Sequence, residues 1–210
     1  MKKWLRILSE VYSVVLYPML MPLYGILLFC AGIVQITPEL PKVYLWLCIG
    51  GTGVLTVLIP ILLLIYLKYK GNIDSLHIDD AKQRTTPYIY TLVCYGFWAY
   101  FLRGTMGLPV IMLCVALGAI VALATVTVVN RWWKISAHLT GIGGLLGGVC
   151  SFALYYSVLP TYLVMGLLLA ALLLMYARIY LGAHTPMQVV CGLLLGLVCT
   201  FLPTMIISYA

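Results

Sequence analysis

Arg178-Ile179-Tyr180-Leu181-Gly182-Ala183-His184-Thr185-Pro186-Met187-Gln188 is a polar island between two apolar runs, Pro160 to about Ala177 and Gln188 to about Ile207. Each run has roughly the 20 apolar residues with which a helix crosses the ~30 Å hydrocarbon core of a bilayer. The island therefore reads as a connection between two spanning helices. A second island, Lys134-Ile135-Ser136-Ala137-His138, lies between apolar runs in the same way, and the two hold two of the chain's three histidines.

Composition agrees with that reading. The 210 residues are 64% hydrophobic and 8% charged, with a mean hydropathy of +1.12, which is the profile of a multispanning, all-α membrane bundle. No segment has the polarity of a soluble domain, so residues 1–210 read as one integral membrane domain. The seven cysteines fall in or beside apolar runs without C-x-x-C spacing, and no histidines cluster. They read as small packing residues, with neither a disulfide framework nor a metal site expected. Twelve basic against five acidic residues give a net charge of +7. In a chain of this class that excess concerns topology and anionic lipid rather than nucleic acid.

Seven spans are expected. Met1 to Glu10 reads as a basic amphipathic lead-in at the membrane surface. The first span, Val11 to about Ile36, is too long for a signal-peptide core and carries Pro18 and Pro22, so it is expected to be retained and kinked. Leu27-Leu28-Phe29-Cys30 has the outline of a lipoprotein cleavage site, but Phe29 stands where a small residue is needed. Val43 to Leu67, Pro87 to Leu102, Leu108 to Val129, Ala137 to Val158, Pro160 to Ala177 and Gln188 to Ile207 are the others. Ser136 is a possible N-cap, and Gly141, Gly143, Gly144, Gly147 and Gly148 give small-x-x-x-small spacings that allow close helix approach.

The residues themselves suggest phosphate chemistry. Arg178 precedes His184 by six residues and Gln188 follows it by four. If a helix starts near Thr185-Pro186, Gln188 lies one turn beyond His184 and can touch it. A guanidinium binds phosphoryl oxygens in a planar fork, and a neutral imidazole is a nucleophile or proton carrier near pH 7. The plainer reading makes both groups interfacial side chains at a helix end. Charged groups bordering spans are costly, which favours a functional role.

At these residues the chain resembles the type 2 phosphatidic acid phosphatase superfamily, which includes the vanadium haloperoxidases. The family's third motif is S-R, five residues, H, three residues, D; here it reads Ala177-Arg178, five residues, His184, three residues, Gln188. Its second motif, P-S-G-H, reads Ile135-Ser136-Ala137-His138. Its first, K, six residues, R-P, falls on Asp79 to Pro87 and is the poorest match: the proline is kept, Thr86 and Asp79 stand at the Arg and Lys positions, and Lys82 and Arg84 could supply the same charges from shifted places. The resemblance covers roughly Asp79 to the C-terminus and is to a short, divergent branch of the kind found in Bacteroidota.

That resemblance implies a metal-independent lipid phosphatase without cofactor in a bacterial inner membrane. Its substrate would come from the bilayer: phosphatidate, phosphatidylglycerol phosphate, a polyprenyl phosphate or diphosphate, or lipid A. His184 would be the nucleophile that becomes phosphohistidine, and His138 the group that protonates the departing alkoxide and then activates water. Arg178, Arg84, Lys82 and Ser136 would hold the phosphoryl oxygens, and Gln188 would orient His184 in place of the family's aspartate. All five acids precede Ala81, so any compensating carboxylate would come from Asp79-Asp80 or the lipid. His77 fits no motif and reads as a loop residue.

Seven crossings provide a geometric check. Spans three and four return the chain to the side it left, as do five and six, so the three motif regions should share one face. Spans one and two also return, which puts the N-terminus there. Ten of the twelve basic residues then lie on the motif side, with Lys42 and Arg103 opposite, which points that face to the cytoplasm. Members of the family more often work on the other face. Three rival readings compete: a degenerate scaffold of the same fold, for which the altered motifs speak; a small transporter, which predicts pseudo-symmetric halves that the sequence lacks; and a CDP-alcohol phosphotransferase, which needs more aspartates than Asp74, Asp79 and Asp80.

Overall fold

The computed structural model describes residues 3–36, 39, 41–74, 82–158 and 160–208, with the side chains of 82, 207 and 208 outside the description. Among these residues the chain is helical and no strand occurs. The helices are α1 (Lys3–Val15), α2 (Met21–Ile36), α3 (Lys42–Gly53), α4 (Ile59–Tyr69), α5 (Thr85–Tyr100), α6 (Val110–Val129), α7 (Ala137–Tyr155), α8 (Thr161–Tyr180) and α9 (Pro186–Ser208). Six helical stretches are long and apolar enough to cross a membrane, among them Lys3–Ile36 and Lys42–Tyr69. The shorter α5, extended by a π-helical turn at Phe101–Thr105, completes a bundle of six to seven spans. The protein is an integral membrane protein.

Proline punctuates this architecture. Pro41, Pro109 and Pro160 immediately precede α3, α6 and α8, and Pro186 opens α9, where a missing N–H costs no helical bond. Pro60 falls inside the Lys42–Tyr69 stretch, and a π-helical turn at Val54–Leu58 precedes it. That local widening accommodates a ring that would otherwise meet the carbonyl four residues back. The expected kink falls at Leu16-Tyr17, just before Pro18, whereas the boundary read at Glu10 is corrected: Lys3–Val15 is one helix that runs through it. Tyr17 is extended (φ −66, ψ 138), the conformation that a following proline enforces. Helix α1 packs along α8, where the Tyr12 hydroxyl donates to the Ala170 carbonyl at 3.2 Å.

The tightest contact in the bundle joins α7 to α9. A Cβ on Gly143 would strike the Leu193 carbonyl, and one on Gly196 would strike the Thr140 carbonyl. With glycine at these points on both helices, the backbones meet directly. Hydroxyls fasten the same seam: Thr200 donates to the Gly144 carbonyl at 3.0 Å, and Thr204 Oγ1 lies 2.7 Å from Ser151 Oγ. This close pairing holds the beginnings of α7 and α9, where the two polar islands lie, side by side.

Candidate functional site

His184 owes its position to the end of α8. Gly182 adopts a left-handed φ of 67°, Gly182 N donates to the Ile179 carbonyl at 2.9 Å, and Ala183 N donates to the Arg178 carbonyl at 3.1 Å. This paired termination, which only glycine adopts cheaply, turns the chain back over the helix end. It brings His184 beside Arg178, six positions earlier, with the imidazole buried. The backbone N–H of Ser136 donates to the Gln188 carbonyl at 3.2 Å, tying the second polar island to the start of α9.

Arg84, Lys134, His138, Arg178 and His184 line one cavity of about 1460 Å³. The three motif regions thus converge. Burial, the Arg178 guanidinium, and more weakly Arg84 and Lys134 lower the pKa of His184 to about 4, against the opposing pull of the Lys134 carbonyl. At neutral pH the ring is uncharged. His184 Nδ1 lies 3.0 Å from that carbonyl oxygen. A carbonyl only accepts, so Nδ1 carries the proton and Nε2 keeps its lone pair. His138 Nε2 lies 3.2 Å from the Ser13 carbonyl, which by the same reasoning leaves its Nδ1 to exchange protons. The Tyr17 ring meets His138 edge-on at 5.5 Å.

Two residues do other work than the family resemblance implies. Gln188 does not orient His184: its Oε1 accepts from Thr185 N at 3.0 Å, and Gln188 N lies 3.5 Å from Thr185 Oγ1. This is a reciprocal cap at the start of α9, and the Lys134 carbonyl takes the place at Nδ1 that the sequence reading gave to Gln188. Ser136 is fully buried and does not line the cavity; its hydroxyl accepts from Leu139 N at 3.4 Å as the N-cap of α7. Lys82 lies in a short turn before α5, with its side chain outside the described residues, as are His77, Asp79 and Asp80 altogether. Glu10 was read as part of a surface segment but lines the cavity, where Arg6 donates to its carboxylate at 3.0 Å.

Three contributors escaped the sequence reading. Lys134 opens the second polar island, four residues before His138, but was given no part in the site. Tyr88 lines the cavity one turn beyond Arg84, a spacing visible in the sequence. The Ser13 carbonyl carries no residue code and gave no signal. Among the described residues, no three His, Cys, Asp or Glu side chains come together as a metal site. The chain matches no protein-family model, no curated protein and no solved structure.

Proposed function

We propose that this protein is a bacterial membrane phosphatase for lipid phosphates, of the type 2 phosphatidic acid phosphatase kind, working through a phosphohistidine on His184. The observation that carries the reading is the His184 imidazole, its Nδ1 proton held by the Lys134 carbonyl and its ring facing a cavity with cationic Arg84, Lys134 and Arg178 at its head. Cations surrounding a neutral imidazole favour a bound phosphate over a protonated ring. The apolar remainder of the cavity suits a lipid tail.

In the first step, the Nε2 lone pair of His184 forms a bond to phosphorus as the bond to the lipid alkoxide breaks. The proton that a singly protonated lipid phosphate brings passes through the unprotonated Nδ1 of His138 to the departing oxygen, and the arginines neutralise the remaining phosphoryl oxygens. In the second step, His138 takes a proton from water, which attacks phosphorus, returns the electron pair to Nε2 and releases inorganic phosphate. The Lys134 carbonyl offsets the positive charge that forms on the ring with a dipole rather than a full carboxylate. A slower enzyme than an aspartate-bearing one follows.

The test is phosphate release from a panel of lipid phosphates by detergent-purified protein. Hydrolysis by the wild type, undiminished by EDTA and reduced roughly a hundredfold or more in His184→Ala and His138→Ala, is the expected result. Inactivity across the panel would favour the scaffold reading.

A further inference from the structure

Pro18 decides which main-chain groups are left over where α1 ends. It has no N–H, so the Val14 carbonyl, four residues back, receives no helical bond from it. Tyr17 N donates to the Val14 carbonyl instead, at 3.2 Å. In an unbroken helix that N–H would go to the Ser13 carbonyl. The Ser13 oxygen is thereby released, and His138 Nε2 lies 3.2 Å from it. The carbonyls of Tyr12 and Tyr17 accept from Leu16 N at 3.0 Å and Leu20 N at 2.9 Å, and that of Val15 accepts from the Tyr24 hydroxyl at 2.8 Å. The last carbonyls of a helix need such partners, and at Ser13 the partner is the imidazole through which the proposed proton transfers run.

The same break aims the Tyr17 ring. Extended backbone at Tyr17 takes its side chain off the helical path, and the ring meets His138 edge-on, with centroids 5.5 Å apart and planes at 89°. Tyr17 also packs against the buried cluster of Met19, Leu64, Leu67 and Ile73, which holds the ring in place. We propose that Pro18 and Tyr17 are positioning residues for His138: the proline break supplies the acceptor that fixes its tautomer, and the aromatic edge fixes the plane of its ring. Both lie outside the three motifs on which the family resemblance rests. The kinetic part of the inference rests on the phosphatase reading. With the Nε2 proton held on Ser13, Nδ1 keeps the lone pair that those proton transfers need. Were Tyr17 N to reclaim the Ser13 carbonyl, either ring nitrogen would carry the proton, and part of the molecules would lack the Nδ1 base.

The test reads the tautomer as well as the rate, which separates this inference from the catalytic one. Nitrogen NMR of isotope-labelled histidines in the detergent-purified protein, with the His138 signals identified by their loss in His138→Ala, should show one tautomer protonated at Nε2. Pro18→Ala restores the N–H for Val14 and returns Tyr17 N to Ser13, so His138 should become a mixture of tautomers. On a lipid phosphate its kcat should fall roughly tenfold to a hundredfold, part of what a positioned acid–base group supplies, with KM little changed. Tyr17→Leu should act in the same direction, and Tyr17→Phe, which keeps the ring edge, should restore the single tautomer and most of kcat. That pair decides the matter where Pro18→Ala does not fold. An unchanged tautomer in folded Pro18→Ala, an unchanged kcat in an active enzyme, or identical behaviour of Tyr17→Leu and Tyr17→Phe would overturn the proposal. The expected tautomer changes with no hydrolysis by the wild type would reject the phosphatase and leave the positioning of His138 standing.

Discussion

His184 Nδ1 and the main-chain carbonyl oxygen of Lys134 lie 3.0 Å apart, joining the two polar islands through a group that no side-chain substitution removes. The bond fixes the tautomer of His184 and ties its ring orientation to the tight α7–α9 pairing.

That pairing should be sensitive to any added side chain. Gly196→Ala places a Cβ against the Thr140 carbonyl, whereas nothing lies within 4 Å of a Cβ on Gly166. Gly196→Ala is expected to cost about 1 to 3 kcal/mol and Gly166→Ala close to nothing, as read from thermal unfolding in detergent. Equal midpoints for the two variants would contradict the close crossing.

Gln188 should matter to stability and hardly to chemistry. Gln188→Leu removes the reciprocal cap with Thr185 and is expected to cost about 1 kcal/mol, with Gln188→Glu restoring it. Single-turnover rates of both variants should stay within a few-fold of wild type. A hundredfold slower Gln188→Leu with unchanged melting would return Gln188 to the catalytic machinery.

The same logic separates Ser136 from the cations. Ser136→Ala should lower the melting temperature through loss of the α7 cap, a change of about 1 kcal/mol, without weakening phosphate binding. Arg178→Ala and Arg84→Ala should each reduce kcat/KM by roughly a hundredfold or more, the scale of removing one preorganised partner of a developing charge. Vanadate inhibition of the wild type, weakened in both arginine variants but not in Ser136→Ala, is the measurement.

Protonation of His184 offers a further check. With its pKa lowered to about 4 by burial and Arg178, the ring stays neutral where an ordinary histidine, near 6.5, is mostly charged. Its modification by diethyl pyrocarbonate, which requires the neutral ring, should persist at pH 5 and fade only toward pH 4. For folding, the sign is that of a base with a depressed native pKa. Between about 6.5 and 4 the unfolded chain binds more protons, so stability falls as the pH falls through that window and this contribution levels off below it. Loss of modification already at pH 6.5 would place the ring in a far less cationic setting.

Much of this arrangement was legible in the sequence. Apolar runs gave the spans, prolines their starts, and the glycine spacings of α7 its close neighbour; Ala137 begins α7 where Ser136 suggested a cap. The cap on α9 was also written out, as Thr185-Pro186-Met187-Gln188, with Gln188 three residues after Thr185 as well as four after His184. The acceptor at Nδ1 was not legible, because any residue supplies a main-chain carbonyl and only the fold selects which one arrives. The kink beside Pro18 was legible too, whereas the unbroken helix through Glu10 was not, because composition changes there and the backbone does not.

The most direct test of the account is to stop wild-type turnover of a lipid phosphate within the first catalytic cycles and map the phosphorylated peptide under alkaline conditions, which preserve phosphohistidine. Phosphate on His184, absent in His184→Ala, is the expected result. Hydrolysis that proceeds with no phosphate on His184, or with the label on His138, would contradict it.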